Sequence, residues 1–213
     1  MPRHATHEAR ASLPIVAVYA DESCLGNGKE GDNPGGAGVL IEYHPPKGVL
    51  VRRDLWVSDA ATTNNRMALR SVIETFRALN AKGRQFRVAF TTDSRYIVDG
   101  MTTWVHSWAL KGWKRKGGPI ENLELWWEAL GLAAPHSISW RWVRGHHGHA
   151  QNEYANDLAT GAAERQDFSG GLIASGFDSW REAAGSKHAH VEPFPRAGDF
   201  TTARVLPVRV APP

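Results

Sequence analysis

Residues 14–27 read PIVAVYADESCLGN. The first seven, Pro14–Ala20, form an apolar, β-branched run of the kind that makes a strand buried in a sheet. The run ends abruptly in two acids, Asp21 and Glu22. A Gly-rich stretch, GNGKEGDNPGGAG at Gly26–Gly38, follows as a loop. Val39–Tyr43 and Val49–Val57 then read as two more strands, joined by a turn at 44–48 where Pro and Gly break the pattern. Three strands with short links predict an antiparallel meander.

The chain then changes period. Over Thr63–Asn80, apolar Leu69, Val72, Ile73, Phe76 and Leu79 recur at helical spacing, with Thr62, Thr63 and Asn64 as capping residues and Gly83 beyond the end. Phe86–Thr92 is a further buried strand, and a helix is predicted from Ser94 to about Met101. Ser137–Val143 alternates as a strand, and Ala150–Glu164 reads as a helix. The order βββαβα…βα predicts the α/β class, with helices packed on a mixed sheet. Residues 1–13 read as a tail, 14–166 as the domain, and 167–213 as an extension rich in Gly, Ala, Ser, Pro and His. A short helix at Phe177–Ala184 is the only element predicted in that extension.

The bulk properties are those of a globular protein: 213 residues, 42% hydrophobic and 22% charged. The net charge of +3 is compatible with a nucleic-acid partner but too small to argue for one alone. Cys24 is the single cysteine, which excludes an intrachain disulfide and suits a reducing compartment. No run is long enough to span a membrane, so the expectation is a cytoplasmic protein.

Asp21 and Asp93 each follow a buried strand, and Asp157 lies on a helix just after the loop Gly145-His146-His147-Gly148-His149. Carboxylates at strand ends converge at one edge of an open sheet. Mg²⁺ prefers such hard oxygen ligands, and a few carboxylates plus substrate phosphate suffice to hold it. Each acid also has a plainer reading: Asp93 as a helix cap, Asp157 as part of a solvated helix face. Three histidines in five residues suggest zinc, but the spacing is tight and there is one thiol in the chain, so His146 as a proton carrier fits better.

Four segments resemble the ribonuclease H type 1 family. They are ADESCLGN (20–27), TTNNRMAL (62–69), TTDSRYIVDGMTTWVHSW (91–108) and WVRGHHGHAQNEYANDLA (142–159), in the family's order and spacing. The resemblance implies a ribonuclease H-like fold: a mixed five-stranded sheet, three antiparallel strands then parallel ones, with helices on both faces. It implies hydrolysis of the RNA strand of RNA–DNA hybrids with two Mg²⁺ ions, Mn²⁺ being a possible substitute. Asp21, Asp93 and Asp157 match three metal-binding acids, with Asp21 expected to bridge both ions, and His146 matches a loop histidine that assists proton transfer or product release. Cys24, Asn27, Asn64 and Asn65 match residues that contact the hybrid. Trp104 and Trp108 match the DNA-strand channel, and Lys111 and Lys114 fall in the region resembling the basic protrusion that grips that strand. No obligate protein partner is implied, so a monomer is expected.

The departures from the family pattern are informative. Where the family carries a catalytic glutamate on the first helix this chain has Ala68, so the carried-over acids supply a charge of −3 instead of −4. Glu74 lies six residues on, about 240° around the helix, and faces elsewhere. Glu22 replaces the family's glycine beside Asp21; strand alternation points it away from the metals unless a bulge redirects it. Arg95 and Asp99 stand where the family often has amides. The loss at position 68 leaves two readings: a two-metal endonuclease weakened by the missing acid, or a catalytically impaired hybrid-binding module. On this reading Ala68→Glu raises cleavage at least about tenfold.

The stretch from Trp104 to Trp127 interleaves five tryptophans with Lys111, Lys114, Arg115 and Lys116. Such a mixture suits a phosphate backbone, the cations neutralising charge and the rings packing on sugars or bases. The alternative is that several of the rings are core.

Overall fold

The computed structural model describes residues 12–26, 33–45, 47–185 and 190–200. Strands β1 (Ile15–Cys24), β2 (Gly35–Tyr43) and β3 (Val51–Asp59) form the predicted antiparallel meander. Helix α1 (Asn64–Asn80) follows, opened by Thr63, whose hydroxyl accepts from the Arg66 N–H at 3.4 Å. Strand β4 (Arg87–Thr92) pairs parallel to β1, and β5 (Ser137–Trp142) pairs parallel to β4. Helix α5 (Ala150–Arg165) closes the family-like region.

Two features differ from the sequence expectation. The helix predicted to end near Met101 continues as α2 (Arg95–Asp99), a π-turn (Gly100–Trp104) and α3 (Val105–Leu110). Gly100 accounts for the close approach there: a Cβ would run into the ring of Trp126 on α4 (Leu123–Ala133). The sheet also has six strands, not five. The added strand, β6 (Ile173–Ala174), comes from the C-terminal extension and pairs antiparallel with the outer edge of β3, giving the order β5-β4-β1-β2-β3-β6. Two residues carry too little pattern to be read as a strand, which is why the sequence missed it.

Side chains of β1 alternate cleanly between two layers. Val16, Val18 and Ala20 join Val39, Ile41 and the apolar face of α1 on one side. Ala17 and Tyr19 join Leu40, Ala150 and Tyr154 on the other, under α5. On that second face Gly36 and Gly38 allow α5 to sit directly on β2, because a Cβ at either would meet the backbone of Ala159 or Ala155. This close seating fixes the start of α5 beside the end of β1.

Helix α5 alone does not cover the second face. Helix α6 (Phe177–Ala184), which lies where the sequence predicts it, inserts Phe177 at 0% exposure against Tyr154, with Trp180, Val191 and Phe194 packed around. The Tyr154 hydroxyl donates to Asp54 at 2.5 Å, and the Gly176 N–H donates to the same carboxylate at 3.0 Å. The extension therefore contributes core. Phe177→Ala is expected to cost about 3–5 kcal/mol, the range for emptying a buried phenylalanine site. Chemical denaturation would check this: a loss below about 1 kcal/mol would mean that the extension merely rests on the surface.

Candidate metal centre and nucleic-acid face

Strands β1 and β4 are parallel neighbours, and their ladder ends at the pair Ala20–Thr92. Beyond it β1 continues against β2 alone, while β4 stops and the chain turns at Asp93 into α2. This leaves a notch at the sheet edge. Ligand oxygens of Asp21, Glu22 and Asp93 all lie within 4.8 Å of one another in it.

Asp93 is not a helix cap; Ser94 occupies that position. Its backbone is held by the Trp142 indole, which donates to the Asp93 carbonyl at 2.9 Å. Gly145 closes the notch from the histidine loop, where a Cβ would collide with the Asp93 carboxylate. Asp21, 6% exposed, points to the α5 side, accepting from the Asn152 side-chain amide at 3.1 Å and from the Glu22 N–H at 2.7 Å.

Glu22 corrects the sequence expectation. Alternation holds, since Asp21 and Glu22 leave the strand on opposite faces, and the β1–β2 register is unbroken, so no bulge is present. Yet Glu22 does not point away from the site. On the β4 side of the notch no strand separates the two faces, and the longer glutamate side chain reaches around to Asp93. It does so from the face that carries α1. Ala68 lies on that same face, fully buried in the core cluster with Ala20.

Three desolvated carboxylates in one notch repel each other. Burial, then the charges of Asp93 and Glu22, push Asp21 up to about 9. Burial and Asp93 push Glu22 up to about 8. Asp93 is also raised, chiefly by burial. A divalent cation would relieve this repulsion, and the all-oxygen donor set suits Mg²⁺ or Mn²⁺. A buried acceptor without a hydrogen-bond partner among the described residues, Asn152 Oδ1, lies on the amide that holds Asp21. The residues present therefore fit a hard divalent ion.

Asp157 is not part of this group. It is exposed on α5, where its Oδ2 accepts from the Trp180 indole at 2.6 Å. Helix geometry explains the miss: starting from Asn152, which faces Asp21, position 156 returns to within about 40° but position 157 lies about 140° away. By the same count Asn156, half-buried and uncharged, is the polar residue that falls nearest the Asp21 side of the helix. Asp157→Asn is expected to leave hybrid cleavage within about twofold and to cost roughly 1 kcal/mol through the weakened indole bond. A tenfold loss of cleavage in a steady-state assay would return Asp157 to the site.

The remaining predicted residues distribute around the same edge. His146 is 73% exposed in a left-handed conformation (φ 54°), with Nδ1 3.8 Å from the Glu153 carboxylate. Cys24 ends β1, its thiol directed at the carbonyls of Thr62 and Asn33 at 3.6 and 3.8 Å. Asn64 opens α1 with a buried Oδ1 that has no partner among the described residues, and Asn65 beside it is exposed. Asn27 lies outside the described residues.

Trp104 and Trp108 are half-buried, packed with Tyr96 and the fully buried Trp126. With Arg115, Ile120 and Glu121 the first three of these rings line a cavity of about 250 Å³. Lys111, Lys114, Arg115 and Lys116 are all exposed. In this stretch the cations lie on the surface and Trp126 is core, with Trp104 and Trp108 between the two; Glu22 and Asn156 were not among the site residues expected from sequence.

Comparisons with known proteins give this geometry its family. The RNase H family model matches residues 14–164. A ribonuclease H of Pelobacter propionicus is 41% identical over 150 residues, covering 70% of this chain and 85% of that protein. One from Neisseria gonorrhoeae is 42% identical over 151 residues, covering 70% and 96%. Among solved structures, LC9-RNase H1, described as a type 1 RNase H with the type 2 active-site motif, is 64% identical with a TM-score of 0.86 and covers 92% of this chain and 95% of its own. The matched stretch runs through both parallel strands and every acid in the notch, and so the chain belongs to the ribonuclease H family.

Proposed function

We propose that this protein is an endonuclease that hydrolyses the RNA strand of RNA–DNA hybrids with two divalent metal ions. The observation that carries the proposal is the convergence of Asp21, Glu22 and Asp93 in the notch between two parallel strands. Asp21, the acid shared between the α5 side and the Glu22–Asp93 side, would be the central ligand. Glu22 and Asp93 would join it in holding the ions, with Asn156 as a further, neutral candidate. Two ions held in this way would activate a water and stabilise the leaving 3′ oxygen.

The chain's own groups do the rest. Asn64 and Asn65 at the start of α1, together with Cys24 and Asn27, address the minor groove, where the 2′-OH separates RNA from DNA. Trp104, Trp108, Lys111 and Lys114 seat the DNA strand, the cations against phosphates and the rings against sugars. His146, exposed on its loop and facing Glu153, accepts or delivers a proton at the edge of the site. Mg²⁺ is the expected ion, with Mn²⁺ as substitute, and the protein is expected to act as a cytoplasmic monomer.

The second reading, an impaired hybrid-binding module, drew its support from Ala68. Glu22 weakens that support, because it brings an acid into the notch from the same face. A cleavage gel decides between the two, run on hybrid, duplex DNA and single-stranded RNA with Mg²⁺ and with Mn²⁺, beside Asp21→Asn. Cleavage confined to the RNA of the hybrid and lost in the variant is the expected result. Tight hybrid binding without cleavage in either metal would leave only the binding module.

A further inference from the structure

Asn152, which donates to Asp21, lies in the first turn of α5, and the C-terminal extension contacts the start of that helix. The cap of α5 is His149, an unusual choice, since Ser, Thr, Asp and Asn dominate that position. Its Nδ1 accepts from the Asn152 N–H at 3.3 Å. An imidazole caps in this way only when Nδ1 is the acceptor, which places the ring proton on Nε2. Glu192 selects that tautomer: its Oε2 lies 3.1 Å from His149 Nε2, and a carboxylate can only accept.

Glu192 is itself clamped. Its N–H donates to Gln151 Oε1 at 3.0 Å, its carbonyl accepts from Gln151 Nε2 at 2.8 Å, and Arg141 donates to its Oε1 at 3.2 Å. Gln151 is fully buried, and the Ala150 N–H donates to the His190 carbonyl at 2.9 Å. The chain of contacts then runs inward: Glu192 to His149, His149 to the backbone of Asn152, and the Asn152 amide to Asp21 at 3.1 Å. Tyr19 packs on the His149 ring with centroids 5.6 Å apart, so the ring has little room to turn.

We infer that Glu192 is a positioning residue for the reaction: it locks His149 as the Nε2–H tautomer, and the capped helix start then holds Asn152 against Asp21. The inference rests on the function proposed above for its kinetic consequence but not for its structural one. The extension, which lies beyond the residues matched by the family model, is thereby part of the working active site.

The test is made on the full-length chain, first without metal. In wild type, ¹⁵N-detected spectra of the His149 ring should show the Nε2–H tautomer. Glu192→Ala should replace it with a mixture and shift the Asn152 side-chain amide. In hybrid cleavage with Mg²⁺, Glu192→Ala should lower kcat at least about fivefold with KM within twofold, whereas Glu192→Gln, which still accepts from Nε2, should recover most of the loss. His149→Asn supplies a cap that needs no tautomer, so Glu192→Ala in that background should add less than twofold.

An unchanged tautomer in Glu192→Ala would overturn the inference. So would a Glu192→Gln as damaged as the alanine variant, or an equal loss in the His149→Asn background. If Glu192→Ala does not fold, Glu192→Gln still decides through the His149 ring spectra, and His149→Asn through the Asn152 side-chain amide. Failure of wild type to cleave would sink the proposed function, and the metal-free spectra would judge the positioning role separately.

Discussion

Glu22→Gln is expected to abolish hybrid cleavage, lowering kcat at least about 10³-fold, or roughly 4 kcal/mol of transition-state stabilisation. The side chain keeps its shape, so hybrid affinity measured in Ca²⁺ should stay within about threefold. The loss arises because the amide is neutral and the notch would fall to two acids, too few to balance two divalent ions. The same geometry reverses what the sequence implies for position 68. Ala68 is fully buried on the face from which Glu22 enters, so Ala68→Glu alone adds a fourth desolvated acid beside an acid already in place. The tenfold gain expected from sequence should not appear. In the pair Glu22→Gly with Ala68→Glu, by contrast, the acid returns from the helix, and activity should recover at least about tenfold over Glu22→Gly. Single-turnover cleavage of the four variants beside wild type measures both effects; a full gain from Ala68→Glu alone would show that Glu22 is no substitute.

The fold was largely legible in advance because its determinants are local and periodic. The apolar run at 14–20, the helical spacing at 69–79 and the alternation at 137–143 each dictate one element. The site was legible only in part, and the two misses have different causes. Glu22 was read through strand alternation, which the structure obeys; what the pattern could not supply is that β4 ends one residue before its neighbour's acid, opening the edge so that both faces of β1 share one notch. The available signal was the pairing of two departures, an acid gained at 22 and one lost at 68. Asp157 was assigned from the resemblance of its segment to the family's last motif, but helix phase decides which residue faces Asp21. Counting from Asn152 in steps of about 100° would have pointed to Asn156. The extension was opaque because its role lies in tertiary contacts: Phe177 fills a face of the sheet and Glu192 reaches a histidine 43 residues away, neither of which leaves a period in the sequence.

A notch of three carboxylates should also govern stability without metal. In the unfolded chain Asp21 ionises near 3.8, whereas in the fold it holds its proton to about 9. A folded-state value raised in this way favours the fold most below pH 4, and that advantage is lost as pH climbs through 9. Between those limits the metal-free protein should weaken steadily, with Glu22, raised to about 8, acting in the same direction. Asp21→Asn removes the acid and keeps the shape. At pH 7 it should stabilise the metal-free fold by roughly 1–4 kcal/mol while eliminating cleavage, and the difference between the two proteins should grow from pH 5 to pH 8. Mg²⁺ should narrow the gap, because it binds the ionised notch of wild type and displaces the proton that Asp21 otherwise retains. Thermal melts of wild type and Asp21→Asn across that pH range, with EDTA and with Mg²⁺, would measure each of these shifts. A metal-free Asp21→Asn less stable than wild type at pH 8 would mean that the three acids do not strain one another, and the case for a cation between them would lose its electrostatic basis.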